Sequence, residues 1–181
     1  MFEPQEDISN NNYKFLEKLL YDYFKYKITN LIINKESNEY GACLFNLNGI
    51  KFLYRNAKIT PTKIGQFVTV WKRSDNKITI PYSLNDALDY YIISVQKDAF
   101  MGYFIFPINI LHTNGIVSDL NGNGGRRGFR VYPIWDKPDN KQAEKTQKWQ
   151  ISYFLDCSNL SLDNKTTETR FRKLIKRLFT F

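Results

Sequence analysis

The dipeptide Asn48-Gly49 constrains this chain more than any other two residues. It joins a run over Glu39–Asn46 to a second run over Lys51–Ile59, both rich in apolar residues. Asn and Gly tolerate the positive φ of a two-residue type I′ turn, so the pair predicts an antiparallel hairpin. A lone hairpin is marginal in water and needs further strands or a helix over its apolar face. The 43% apolar content can supply that cover and excludes a disordered chain. A length of 181 residues favours one domain.

Covering elements are legible on both sides of the hairpin. Residues 9–28 carry Leu16, Leu19, Leu20, Tyr23 and Phe24 at helical spacing, with Ser9 or one of Asn10–Asn12 as cap. Further strands are expected at Phe67–Lys72, Tyr90–Val95, Tyr103–Phe106 and Phe129–Tyr132, the middle two apolar enough to be central. Thr60–Gly65 reads as a loop, because Pro61 cannot donate to a ladder. A short helix is expected at Ile108–His112, a longer one within Asp139–Tyr153, and a last one at about 168–179. The expected architecture is a single α/β (α+β) domain, a mixed central sheet with a hairpin, flanked by helices. Residues 1–157 would form the domain, with a polar linker and a basic helix over 158–181 packed on it.

Several function classes fall away. No run approaches the roughly 18 apolar residues of a membrane span. The start of the chain is acidic and lacks the apolar stretch of a signal peptide. Cys43 and Cys157 form no disulfide framework or zinc spacing, and the single histidine, His112, cannot make a His-rich metal site. These readings point to a reduced, cytoplasmic protein with no membrane partner and no structural metal.

The formal charge is +8, with 26 Lys+Arg against 18 Asp+Glu. An AT-rich genome inflates lysine and asparagine, each present 18 times, so the total alone says little. Its location says more. Residues 1–48 carry 5 basic and 7 acidic side chains, and residues 49–181 carry 21 and 11.

Three clusters hold the cations beside hydroxyls, amides and aromatics, the mixture that phosphate and base recognition uses. The first spans Ala57–Arg73 and offers Lys58, Lys63, Gln66, Trp71, Lys72 and Arg73. Alternation along one strand would put Trp71 and Arg73 on one face; alternatively Trp71 belongs to the core. The second spans Gly124–Pro133 and offers Arg126, Arg127 and Arg130 in a glycine-rich loop whose backbone N–H groups can approach an anion. It is no P-loop, since GxxxxGK[ST] is absent. The third spans Lys141–Trp149, where Gln142, Lys145, Thr146 and Trp149 share a helix face.

Catalytic signals are thin. Acid-x-Lys occurs at Asp75–Lys77, Asp139–Lys141 and Asp163–Lys165, all in turn-like or helix-start settings. Glu36 and Glu39, with Lys58, are better candidates for a metal-dependent nuclease, which would need Mg or Mn. Otherwise no cofactor is expected.

The three clusters resemble the MepB family. The strings are Glu36-Ser-x-Glu39-Tyr-Gly-Ala-Cys43, Ala57-Lys-Ile-Thr-Pro-Thr-Lys-Ile-Gly-Gln-Phe-Val-Thr-Val-Trp-Lys-Arg73, Gly128-Phe-Arg-Val-Tyr-Pro133 and Gln142-Ala-x-Lys-Thr-Gln-x-Trp-Gln150. They span about residues 13–156. The resemblance implies a fold similar to restriction-endonuclease-like domains and a surface facing DNA or RNA. That fold carries an acid-x-Lys on a strand; here Gln66 opens the strand instead, so binding without cleavage is expected. The alternatives are the nuclease, and a pocket for a nucleotide-like anion in which Lys58, Gln66, Arg127, Arg130 and Gln142 converge.

Overall fold

In the computed structural model, which describes residues 11–33, 41–158, Thr169, Arg172, Lys173 and Lys176, Asn48 and Gly49 take φ values of 50° and 81°. They close the expected hairpin. Helix α1 (Asn11–Phe24) precedes it, followed by a short strand β1 (Thr29–Ile33) that composition did not predict. The hairpin arms are β2 (Cys43–Leu47) and β3 (Ile50–Asn56), with Leu47 opposite Ile50. After them come β4 (Lys58–Thr60), β5 (Lys63–Thr69), β6 (Trp71–Arg73) and β7 (Thr79–Pro81). The two long strands are β8 (Tyr90–Lys97) and β9 (Phe100–Pro107), followed by α2 (Ile108–Thr113). The remainder is β10 (Gly128–Val131), α3 (Lys141–Gln150) and β11 (Phe154–Asp156).

The main sheet has six strands in the order β1-β2-β3-β8-β9-β11. Within it β3 and β8 pair in parallel, and the other neighbours are antiparallel. The mixed α+β character expected is what the chain adopts. Alternation along the central strands buries both faces, as an interior sheet requires. Ile92, Tyr103 and Ile105 face α1, where Tyr13, Leu16, Leu19 and Leu20 meet Phe45, Phe52 and Tyr54. Tyr91, Ile93, Val95, Phe104 and Phe106 face the other way, onto Val68, Val70, Phe129 and Val131. The side chains of Tyr23 and Phe24, also expected on the apolar face of α1, lie outside the described residues.

That second face carries a smaller sheet, β10-β5-β4, and α2 and α3 pack with it. Two long expected strands turn out to be broken where the chain changes sheet. Lys51–Ile59 stops at Ala57, whose N–H bonds the carbonyl of Ser94 on β8 (2.9 Å) before β4 joins the smaller sheet. Phe67–Lys72 stops at Val70, whose N–H bonds the carbonyl of Arg127 (2.9 Å). β6 then pairs with β7 in a separate two-stranded ribbon. The break keeps Val68 and Val70 on the core side and Arg73 over the Trp71 ring, the shared face that alternation predicts, but it carries Trp71 and Arg73 into the ribbon and away from Lys63. The expected loop at Thr60–Gly65 is shorter, a turn over Pro61-Thr62 with Gly65 already inside β5. Gly65 has φ +81°, and a Cβ there would come within 2.6 Å of the Tyr132 ring.

Thr169, Arg172, Lys173 and Lys176 are helical, as expected for the C-terminal segment. The other positions of that helix, the linker before it, and Glu36 and Glu39 lie outside the described residues. No helix among the described residues is long and apolar enough to cross a membrane.

Candidate functional site

Three separate pieces of chain surround one groove. The β4–β5 turn forms one wall, β10 lies along the floor, and the first turns of α3 form the opposite wall. Asn140 caps α3, its Oδ1 accepting from the Ala143 N–H at 2.9 Å. The helix thus starts where it faces the groove and brings the positive end of its backbone dipole there.

Side-chain bonds hold the walls together. Arg130 on β10 donates through Nη2 to Thr60 Oγ1 (2.6 Å) and through Nη1 to the Gly65 carbonyl (3.0 Å), which ties the turn to the floor. Gln150, at the end of α3, is wholly buried and completes the edge of β10 as a strand would. Its Oε1 accepts from the Tyr132 N–H (2.8 Å), and its Nε2 donates to the Arg130 carbonyl (2.9 Å). Gln147 adds bonds to the carbonyls of Pro133 (2.9 Å) and Asp136 (2.8 Å).

The groove encloses about 910 Å³. Seven of the residues singled out from sequence line it: Lys63, Arg126, Arg130, Gln142, Lys145, Thr146 and Trp149. The helical face expected of α3 is realised, since all four of its members reach the groove. Trp149 also rests on Phe106, ring centroids 5.2 Å apart, so it is partly a core residue. Among the described residues, Asp139 is the one carboxylate on the rim.

The other candidates are placed elsewhere. Lys72 is ion-paired with Asp86. Arg73 closes the β6–β7 ribbon, donating to the Lys77 carbonyl (2.9 Å) and to Thr79 Oγ1 (3.3 Å). Trp71 is half-buried, with the Arg55 and Arg73 guanidinium carbons each 5.4 Å from its ring centroid. Gln66 is 1% exposed and bridges β5 to β8, its amide bonding the Gln96 carbonyl (3.3 Å) and N–H (3.4 Å). Lys58 is half-buried on β4, and Arg127 is exposed; neither lines the groove.

Internal bonds close the turn that leads into the glycine-rich loop. Asp119 accepts from the backbone N–H groups of Asn121 and Asn123, and the Asp119 carbonyl accepts from the Gly122 N–H. The Arg126 N–H bonds the Ile116 carbonyl. These four donors are satisfied within the protein, and the loop places the Arg126 side chain on the groove. The bond from the Asn123 N–H to Asp119 holds that carboxyl below its ordinary range.

A second hollow, of about 500 Å³, lies across the β4–β5 turn and shares Thr62, Lys63 and Ile64 with the groove. Its lining includes Asp136, almost completely buried, with Lys97 Nζ 3.6 Å from Oδ1. Burial pushes the Asp136 carboxyl up, and Lys97 partly opposes that. Sequence reasoning missed both Asp136 and Gln150 as site residues: Asp136 sits in no motif, and Gln150 closes the quoted string Gln142–Gln150 but lies off the Gln142, Lys145, Thr146, Trp149 face. Among the described residues no group of three or more His, Cys, Asp or Glu is placed to hold a metal ion. Burial pushes the Cys43 thiol up to about 12 and Cys157 higher still, so both are inert as nucleophiles.

The MepB-like family model matches residues 34–156, two-thirds of the chain and every residue of the groove. The chain belongs to the MepB-like family. A solved structure, the crystal structure of MepB, is 35% identical; the likeness covers 81% of this chain and 97% of that one, with a TM-score of 0.70. No curated protein matches. Within this MepB-like chain the family match begins after α1 and β1, later than the resemblance read from the sequence.

Proposed function

We propose that the groove binds the phosphate backbone of a nucleic-acid strand and that the protein is a binder rather than a nuclease. One observation carries this reading. Lys63, Arg126 and Lys145, from β5, the glycine-rich loop and α3, converge on a single concavity beside Gln142, Thr146 and Trp149, and Arg130 on β10 adds its charge while its Nη atoms bond Thr60 and Gly65. Cations fix a polyanion by charge, amides and hydroxyls direct it, and an aromatic edge offers a base its face. A cleavage role would rest on Glu36, Glu39 and Lys58, and Lys58 stands outside the groove lining. The two free, buried cysteines suit a reducing cytoplasm.

The concavity also favours a second reading, a nucleotide-sized anion in the same groove, since sites for such ligands run to about 300–1,000 Å³.

Fluorescence anisotropy with a labelled single-stranded oligonucleotide tests the binder. The Arg126→Ala/Lys145→Ala double variant removes two charge-assisted bonds to phosphate at about 1.5 kcal/mol each, so affinity falls more than tenfold. Lys72→Ala leaves it unchanged. Equal weakening by both variants would refute the groove as the site. Competition by a mononucleotide as strong as by the oligomer would select the second reading. Release of labelled fragments with magnesium or manganese, abolished by Glu39→Gln, would show a nuclease instead.

A further inference from the structure

We propose that the 500 Å³ hollow across the β4–β5 turn receives one unpaired base of the bound strand, with Asp136 accepting a hydrogen bond from the exocyclic amine of cytosine or adenine. The inference rests on the groove binding a strand as proposed above.

The two hollows share one wall, the turn that carries Thr62, Lys63 and Ile64. A strand whose phosphates follow the groove meets Lys63 at the top of that wall and descends on the far side. The chemistry there is different. Ile59, Pro61, Ile64 and the Trp135 ring supply apolar surface. Trp135 is held rigidly, stacked on Phe100 (5.4 Å between centroids) and edge-on to Phe154 (5.4 Å). A buried carboxylate repels phosphate, so this hollow is unsuited to the strand's backbone. It suits a neutral planar ring with an N–H donor, the group that a carboxylate recognises on cytosine.

Asp136 is equipped for that role. Lys97 is ion-paired with Oδ1 (3.6 Å), and among the described residues no side-chain or backbone donor is bonded to Oδ2, which is left to accept from the base. Its place is fixed from behind, since its backbone N–H donates to the Pro133 carbonyl (3.0 Å) and its carbonyl accepts from Gln147 (2.8 Å). Lys97 stays with Asp136, and Lys137, in the same lining, holds a phosphate that flanks the inserted base. Thymine and uracil lack the exocyclic amine, so they fill the hollow without that bond.

Anisotropy titrations of the full chain with oligo-dC and oligo-dT of about eight nucleotides, within the site sizes of single-strand binders, test this. Wild type is expected to bind oligo-dC about tenfold more tightly, the discrimination that one specific base contact provides. Asp136→Asn is expected to bring the two affinities together while keeping affinity for oligo-dT. Lys137→Ala, which leaves the Lys97–Asp136 pair in place, is expected to weaken both oligomers equally. Equal binding of dC and dT by wild type, or selectivity kept in Asp136→Asn, would overturn the base site and leave the groove standing. Absence of binding to either oligomer would overturn the groove reading itself, and this inference with it.

Discussion

Gln150→Ala tests how the groove is held. Gln150 is 0% exposed and makes two bonds to the edge of β10, at 2.8 Å to the Tyr132 N–H and 2.9 Å to the Arg130 carbonyl. Alanine removes both and leaves a backbone donor and a backbone acceptor without these partners. Each orphaned group costs about 1–3 kcal/mol, so the destabilisation is about 3 kcal/mol, before any cost of the cavity. In a chain of this size 1 kcal/mol moves Tm by about 2–4 °C, so a fall of roughly 6–12 °C follows. Urea unfolding followed by tryptophan fluorescence reads the free energy, and calorimetry reads Tm. Gln142→Ala is the control: the same residue type on the same helix, but exposed. It should stay within about 0.5 kcal/mol of wild type. If Gln150→Ala proves as mild as Gln142→Ala, the amide is not what anchors α3 to β10.

Two further outcomes follow from the site. Burial raises the Asp136 carboxyl above its ordinary value, with Lys97 opposing; a raised carboxyl stabilises the fold fully below the unfolded value, and that contribution is lost as pH rises through the folded one. Asp136→Asn should therefore be at least as stable as wild type at neutral pH and lack this decline, which thermal unfolding across mildly acidic to neutral pH will read; a clear destabilisation at neutral pH would contradict it. Gly65→Ala should cost at least about 1–2 kcal/mol, because φ is +81° and the added Cβ meets the Tyr132 ring at 2.6 Å; chemical denaturation measures it, and a neutral result would mean that the turn relaxes freely.

Much of the scaffold was legible because its signals are local. Asn48-Gly49 announces its turn, and the Tyr103–Phe106 run announces a strand buried on both faces. The breaks at Ala57 and Val70 were not legible, since a strand that leaves one sheet for another keeps the same β-branched and aromatic composition. β1, β7 and β11, of three to five residues, are defined by their partners rather than by any pattern of their own. The site divides on similar lines. The α3 face of Gln142, Lys145, Thr146 and Trp149 follows from helical period alone. Gln66 and Arg73 read equally well as ligand-binding groups, yet their donors end on Gln96, Lys77 and Thr79. Residue type cannot distinguish a phosphate oxygen from a carbonyl oxygen as the acceptor. Gln150 shows the converse: a polar residue that the helical face passes over supplies the bonds that shape the groove.

The central claim is that cations converging on the groove neutralise strand phosphates, and the salt dependence of binding measures that most directly. For wild type, log Kobs for a single-stranded oligonucleotide should fall linearly with log salt concentration, at about 0.7 per phosphate neutralised. Lys145→Ala should flatten that line by about 0.7, because one phosphate then keeps its counterion. A wild-type line that is flat, or a slope that Lys145→Ala leaves unchanged, would contradict the account.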